Sequence, residues 1–154
     1  GNFGVGIDRV ICELPKKLKI GDWTKQGLLH YCGNIRYKYG YNHSHNEEKS
    51  RVFLRLTEVL AVGVEILVNK NKIEIPWQLD EEIEITSYLN NGNNLIEIEL
   101  LGSPRNMLGP LHLTNPSPKN TNDATFTPGP AAYTKTHQII PYGLTGEVII
   151  SELL

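Results

Sequence analysis

The sequence predicts an all-β domain in which two antiparallel sheets pack face to face as a sandwich. Apolar and polar residues alternate over several short runs, as they do on strands with one buried face. The 14 Gly and 9 Pro residues, 23 of 154, favour many turns over long helices. Helical periodicity is scarce, and 40% hydrophobic residues are enough to form a core. Together these features favour roughly eight or more strands in two layers.

The alternating runs give the predicted strands in chain order, each bounded by Gly, Asn, Pro or Asp. The runs lie at residues 35–41, 51–57, 62–68, 83–85, 96–100 and 148–150. Residues 69–72 (NKNK) predict a hairpin turn. Thr86 is expected to cap one helical turn through its side chain. Asn93 or Asn94 is expected to take the left-handed conformation beside Gly92.

One segment departs from this pattern. Residues 102–136 are rich in Pro, Asn, Thr and Gly, and an irregular stretch of this length is usually functional or disordered. Its apolar residues predict a packed excursion rather than a linker; they are Met107, Leu108, Leu111, Phe126 and Tyr133. With no repeat and no low-complexity tract, residues 1–154 are expected to form a single domain.

Composition excludes several classes of protein. A net charge of −2 argues against a broad nucleic-acid surface. No run approaches the roughly 20 apolar residues of a membrane helix, and the first ten residues do not resemble a signal peptide. Cys12 and Cys32 are too few for a disulfide framework. The sequence leaves open whether these two form one bridge or are small buried residues.

Four segments, in this order, resemble the sugar-binding β-sandwich of glycoside hydrolases of family two. They are Gly27-x-x-x-Tyr31-x-Gly33-x-Ile35-x-Tyr37, residues 64–69 (VEILVN), residues 83–89 (IEITSYL) and residues 92–98 (GNNLIEI). The sequence departs from the family pattern at Lys70, where glycine is usual, and at Glu84, where the family has aspartate. Residues 105–112 (RNMLGPLH) and 141–144 (PYGL) resemble galactose-binding-like modules attached to large bacterial glycoside hydrolases.

The resemblance implies a jelly-roll sandwich with galactose-binding-like topology. It also implies a non-catalytic accessory module that packs on the catalytic domain of the same polypeptide, because the catalytic acids of such enzymes lie in a separate barrel. A chain of 154 residues is too short for that barrel, so we expect it to be excised from a larger protein. Modules of this fold often carry a structural calcium ion, for which residues 120–123 (NTND) are the candidate loop. No other cofactor is expected.

No residue of this chain is expected to be catalytic. Glycosidases need two acids held about 5–9.5 Å apart, whereas Glu82, Glu84, Glu97 and Glu99 alternate with apolar residues as on a solvated sheet face. No serine lies in a G-x-S-x-G setting. Five His and no CxxC motif predict no metal site.

Carbohydrate binding is the more serious hypothesis, because sugar sites combine aromatic faces with planar polar groups. The candidate residues are Trp23, Tyr31, Trp77, Arg105, Asn106, His112 and Tyr142, with Tyr133 as a further aromatic platform. For Trp77, a place over the sandwich core is a strong alternative. Arg105, Asn106 and His112 could instead hold the long segment together through backbone carbonyls.

Three other functions remain open from the sequence. One is an autonomous carbohydrate-binding module with an exposed aromatic platform. Another is a small sugar-active enzyme that uses loop residues around 103–137. The third is a purely structural spacer, for which no ligand is needed.

Overall fold

Short strands joined by turns make up most of the regular structure. The computed structural model describes residues 2–44, 50–75 and 81–153. Its strands are β1 (Gly4–Val5), β2 (Ile11–Cys12), β3 (Gly21–Asp22), β4 (Ile35–His43), β5 (Arg51–Leu56), β6 (Val59–Leu60), β7 (Gly63–Val68), β8 (Asn71–Lys72), β9 (Ile83–Glu84), β10 (Gly92–Leu101), β11 (Gly143–Leu144) and β12 (Val148–Leu153). Two 3₁₀ helices (Trp23–Lys25 and Thr86–Tyr88) and two α-helices, α1 (Arg105–Leu108) and α2 (Asp123–Phe126), complete the described elements. The predicted all-β class is confirmed.

The chain divides into two compact units, each made from two separate stretches of sequence. Unit 1 consists of residues 1–33 and 102–142, and unit 2 consists of residues 34–101 and 143–154. The strands predicted from alternation all lie in unit 2, whereas the irregular segment lies in unit 1.

Unit 2 is built from antiparallel sheets. In the larger sheet β10 is central: it pairs with β4, from Gly92 opposite His43 to Leu100 opposite Ile35, and with β7 on its other side. The hairpin partner β8 extends the β7 edge. In the second sheet β5 lies between β12 and β9, and β11 pairs with β6.

Both main sheets of unit 2 bury alternate residues on one face. Val52, Leu54 and Leu56 of β5 are buried, as are Ile96, Ile98 and Leu100 of β10, because side chains on a strand alternate between its two faces. Two sheets that each bury one apolar face form a β-sandwich. The jelly-roll order of strands and the galactose-binding-like topology stay predictions.

The predicted hairpin at residues 69–72 is confirmed. Asn69 and Lys70 form its two-residue turn with φ of 51° and 70°, the left-handed values that a tight turn between antiparallel strands requires. Asn69 also accepts a hydrogen bond from the backbone N–H of Leu95 (3.0 Å) and donates one to Asn94 (2.7 Å). This side chain therefore fixes the turn against the start of β10.

Two local predictions in unit 2 are wrong. The left-handed residue at the start of β10 is Gly92 itself (φ 92°), whereas Asn94 is buried and binds the backbone carbonyls of Asn90 and Gly92 with its side-chain amide. Thr86 does not cap its helical turn. Its hydroxyl instead accepts a hydrogen bond from the backbone N–H of Val52 (2.9 Å), which ties the turn to β5.

In unit 1 the irregular segment folds back on itself as a ladder of backbone hydrogen bonds. Thr134 donates to the carbonyl of His112 and Gln138 donates to that of Leu111, each over 2.8 Å. The segment therefore brings residues 111–114 beside residues 132–138, although they are some twenty positions apart in sequence. This arrangement places His112, Tyr133 and His137 close together.

The prediction that apolar side chains anchor this segment is wrong in most of its residues. Met107, Leu108, Phe126 and Tyr133 are exposed, and the buried leucine is Leu113. Hydrogen bonds rather than apolar burial hold the segment, because Pro, Asn and Thr supply few large apolar groups to bury.

Candidate functional site

An aromatic cluster in unit 1 contains three of the predicted sugar-binding residues. The Trp23 ring stacks on Tyr142, with centroids 5.9 Å apart and planes at 19°, and meets the edge of Tyr31 at 6.4 Å. The backbone N–H of Trp23 donates to the carbonyl of Tyr142 (2.8 Å). Asp22 accepts hydrogen bonds from the backbone N–H groups of Thr24 and Tyr142, so it fixes both sides of the stack.

The members of this cluster differ in their exposure. Trp23 is 0% exposed, Tyr142 is 9% exposed and Tyr31 is 38% exposed. A ring without exposed area offers no face to a sugar from solvent, so burial gives Trp23 and Tyr142 a packing role in unit 1. Their direct contact with a sugar stays a prediction, and Tyr31 is the member that solvent reaches.

Asn106 links the two ends of the irregular segment. Its side-chain amide donates to the carbonyl of Ile140 (2.7 Å) and accepts from the N–H of Ile140 (2.9 Å). The side chain is buried, so it satisfies both backbone groups of Ile140 in place of a partner strand. This is the loop-holding role that the sequence left open as an alternative, and sugar contact by Asn106 stays a prediction.

Arg105 lies beside it and also contacts the backbone. Its Nη2 donates to the carbonyl of Pro116 (2.8 Å). Among the described residues its buried Nη1 has no hydrogen-bond partner, and burial lowers the pKa of the guanidinium from its ordinary value. Arg105 therefore combines a loop-holding bond with an unused donor.

Two histidines of unit 1 bind backbone carbonyls through Nδ1. His112 contacts the carbonyl of Thr134 (2.9 Å) and His30 contacts the carbonyl of Asn106 (2.5 Å). Because a carbonyl oxygen only accepts, Nδ1 of each ring carries the proton. Nε2 of each ring is then the atom that remains for other chemistry.

His137 completes a group of basic side chains. Its ring meets that of His112 edge to face, with centroids 4.6 Å apart, and His112 stacks on Tyr133 at 5.5 Å and 18°. Burial lowers the pKa of His137, and the positive charges of Arg9, His112 and His30 lower it further. We call Arg9, His30, His112 and His137 the basic cluster.

Sequence reasoning identified His112 and Tyr133 but missed the other members of the basic cluster. Arg9, His30 and His137 lie in three separate stretches, and no spacing motif connects them. Only the backbone ladder between residues 111–114 and 132–138 reveals that His137 lies beside His112. Trp77 lies outside the described residues, so its place stays a prediction.

Several carboxylates of unit 2 form ion pairs with basic side chains of neighbouring strands. Glu99 pairs with Arg36 and also accepts from Asn34 (2.9 Å), and these hydrogen bonds hold the pKa of Glu99 below its ordinary value. Glu84 pairs with Arg51, which lowers its pKa in the same way. Such carboxylates are ionised near neutral pH, whereas a general acid needs a raised pKa.

Some oxygen atoms of the predicted calcium loop, residues 120–123, already accept hydrogen bonds. The side chain of Asn122 accepts from the N–H of Thr125 (3.3 Å), and the carbonyl of Asp123 accepts from Thr127 (3.1 Å). These bonds cap α2 and leave one acid, Asp123, for a cation that prefers six to eight oxygen ligands. One acid is few for such a cation, and a structural calcium ion stays a prediction.

In the part of the chain that the structure describes, no three His, Cys, Asp or Glu side chains are arranged to hold a metal ion. Cys12 is exposed, Cys32 is half-buried, and both are free thiols, so the interpretation as a buried pair is wrong for Cys12. Across the same residues, no helix has the length and apolar character needed to span a membrane.

Comparison with known proteins gives a likeness of fold. No family model and no curated protein sequence matches the chain. A rhamnosidase from Novosphingobium sp. PP1Y matches 98% of this chain with a TM-score of 0.59 and 18% identity. A protein assigned as a β-galactosidase from Bacteroides fragilis matches 93% with a TM-score of 0.51 and 18% identity. The chain spans only 14% and 19% of those two proteins, so it shares its fold with a small part of much larger glycoside hydrolases.

Proposed function

We propose that this chain is a non-catalytic accessory module of a bacterial glycoside hydrolase. In this proposal it packs against the catalytic domain of the same polypeptide and contributes to carbohydrate recognition. The observation that carries the proposal is the difference in coverage: 98% and 93% of this chain match only 14% and 19% of two larger glycoside hydrolases. A shared fold does not by itself set function, so the link to carbohydrate recognition is an analogy with those enzymes that the experiments below test.

The acids of unit 2 support a role without catalysis. Glu84 and Glu99 lie in ion pairs with Arg51 and Arg36, and their pKa values are lowered rather than raised. Glu97 is likewise close to Lys38 (3.4 Å). A glycosidase acid must hold its proton near neutral pH, which the environments of Glu84 and Glu99 oppose.

An exposed apolar surface supports packing against another domain. Ile7, Val10 and Ile11 lie on or beside the hairpin of β1 and β2, and all three are more than half exposed. Phe3 and Ile20 in the same stretch are also exposed. Exposed apolar residues that cluster in this way are typical of interaction surfaces. We assign this surface, residues 3–20, to contact with the catalytic domain.

Calorimetric titration of the chain with a panel of oligosaccharides tests the recognition role. We expect weak but saturable binding to at least one oligosaccharide, and no hydrolysis of chromogenic glycosides. Hydrolysis that is abolished by Glu84→Gln or Glu99→Gln would overturn the non-catalytic assignment, with Glu58→Gln, an exposed acid, as the control. Absence of binding at millimolar sugar would remove the recognition role and leave a structural module.

An autonomous carbohydrate-binding module is the second candidate, and the exposed ring of Tyr133 favours it. Tyr133 is 44% exposed and its ring is held by stacking on His112, as a sugar platform requires. The two candidates differ in their affinity for an insoluble polysaccharide. An autonomous module binds it by itself, whereas an accessory module that depends on its catalytic domain does not bind it tightly alone. A pull-down on polysaccharide with Tyr133→Ala beside the unchanged chain separates them.

A further inference from the structure

We propose that the basic cluster, Arg9, His30, His112 and His137, binds the carboxylate of an acidic sugar, a uronic acid unit, with Tyr133 packing against the sugar ring. The proposal rests on the proposed role in carbohydrate recognition and deepens it by naming the class of sugar.

The four basic side chains come from separate stretches of unit 1. Arg9 lies in the turn between β1 and β2, where its N–H donates to the carbonyl of Gly6 (2.9 Å). His30 comes from the stretch after the first 3₁₀ helix and is fixed by the carbonyl of Asn106. His112 and His137 lie on the two sides of the backbone ladder, with their rings 4.6 Å apart. His112 and His137 thus place two imidazole rings side by side, and Arg9 and His30 act electrostatically on the His137 ring from two further stretches of unit 1.

Two histidine rings of the basic cluster use one ring nitrogen within the fold and leave the other for a ligand. Carbonyl oxygens occupy Nδ1 of His30 and of His112, so both rings keep Nε2 for a ligand. Within the described residues, the buried Nδ1 of His137 has no hydrogen-bond partner. Protonated histidines donate from both ring nitrogens, and a carboxylate accepts several such bonds at once. Nε2 of His30 and Nε2 of His112 are therefore the positions from which protonated rings of the cluster would donate to an anion.

The surroundings of the His137 ring are basic. The groups that act electrostatically on the His137 ring are Arg9, His112 and His30. All of these groups are basic, and none of the ion pairs among the described residues joins one of them to a carboxylate. Like charges that face each other repel, and a bound anion relieves that repulsion. The net charge of the chain is −2, so this local excess of basic groups runs against the composition.

The exposed ring of Tyr133 favours a sugar anion over an inorganic anion. The ring of Tyr133 stacks on His112 and is 44% exposed, so a partly open aromatic face lies beside the basic cluster. Aromatic faces pack against the apolar side of a pyranose ring. An acidic sugar uses both features at once, whereas phosphate or sulfate uses the charge alone.

The test compares a pair of matched ligands by calorimetry and by NMR of the histidine rings. Digalacturonic acid is titrated against the neutral galactose disaccharide of the same linkage, at pH 6 and at pH 8. We expect the acid to bind about tenfold more tightly at pH 6, since charge-assisted bonds favour it. The preference should shrink at pH 8, because a carboxylate is attracted to the protonated form of an imidazole and not to its neutral form.

Substitutions assign the effect to the basic cluster. His112→Asn keeps a donor near the position of Nδ1 for the carbonyl of Thr134 but removes Nε2, so the fold is preserved while the ligand donor is lost. We expect it to lower the preference for the acid by about fivefold or more. His137→Gln and Arg9→Gln should act in the same direction. Arg55→Gln, which removes an exposed cation of unit 2, should leave the preference unchanged.

Each other outcome contradicts a specific statement. Equal affinity for acid and neutral sugar, unaffected by His112→Asn, overturns this inference while the recognition role stands. Binding of neither sugar overturns the recognition role as well. Inorganic phosphate that binds at the same histidine resonances as tightly as the acidic sugar assigns the cluster to a bare anion and overturns the choice of a sugar.

Discussion

At the scale of single residues, Asn106 holds separate stretches of unit 1 together through its hydrogen bonds. Its side chain binds both backbone groups of Ile140, and its own carbonyl accepts from His30. Because the side chain is buried, water cannot replace these bonds when it is lost. One residue therefore connects both ends of the irregular segment to the stretch that carries His30.

Asn106→Ala should lower the free energy of unfolding by about 1–3 kcal/mol, because it removes the partners of both backbone groups of the half-buried Ile140. Urea denaturation followed by circular dichroism measures the change. Asn93→Ala, at an exposed position of β10, serves as the control and should stay within about 0.5 kcal/mol of the unchanged chain. Equal effects of the two substitutions would show that Asn106 does not hold the segment.

The lowered pKa of His137 predicts that the stability of the fold depends on pH. Burial and the nearby basic groups lower its pKa in the folded chain, so the unfolded chain binds the proton more readily. This contribution to stability is complete above about pH 6.5 and declines as the pH falls through the lowered pKa. NMR titration of the His137 ring should give a midpoint below about 6.5, and Arg9→Gln should raise it. A midpoint that does not respond to Arg9→Gln would contradict the electrostatic influence of Arg9 on His137.

At the scale of elements, the hairpin of β7 and β8 shows how a turn accepts an unfavourable residue. Lys70 has a φ of 70°, a conformation in which a side chain costs about 1–2 kcal/mol. Asn69 offsets part of that cost, because its side chain binds both Asn94 and the carbonyl of Tyr88 (2.9 Å). The element forms through these bonds although the turn lacks the usual glycine.

Lys70→Gly should therefore stabilise the chain by about 0.5–1 kcal/mol, since relief of the left-handed strain exceeds the added entropy of the unfolded glycine. Thermal unfolding measures the change as an increased Tm. Lys72→Gly, two positions further in β8, should have the opposite sign because glycine weakens a strand and the ion pair with Glu65 is lost. A decrease in Tm with Lys70→Gly would contradict the turn geometry.

At the scale of the whole molecule, the exposed apolar surface at residues 3–20 is the feature on which the proposed contact with another domain rests. Ile11 is 69% exposed, although such side chains are usually buried. Val62 is 67% exposed as well. Single exposed apolar residues are ordinary, whereas the grouping around Ile11 is not.

The isolated chain should self-associate at high concentration through this surface, and Ile11→Lys should reduce that association. Sedimentation velocity over a range of concentrations measures it. Val62→Lys is the matched control, because it removes an equally exposed side chain outside the surface. Stability should change by no more than about 0.5 kcal/mol in either variant. Equal loss of association with Val62→Lys would contradict the assignment of this surface.

The local predictions succeeded where one face of a strand was buried. The runs around Val52, Ile66 and Ile98 became strands because their alternation is imposed by the buried core. The role of Thr86 could not be predicted in this way, since its hydroxyl binds Val52, a residue 34 positions away. The candidate site was predicted only in part: His112 and Tyr133 were named, whereas Arg9, His30 and His137 were not.

The sequence alone determined the all-β class, the hairpin at Asn69 and Lys70, and the largely irregular structure of residues 102–136. Each follows from interactions between residues close in the chain or from a simple alternation of polarity. The tertiary structure decided the rest. It buried Trp23, used Asn106 in place of a partner strand and brought His137 beside His112. These contacts join residues far apart in sequence, and no local pattern encodes them because each depends on where the backbone of the other segment runs.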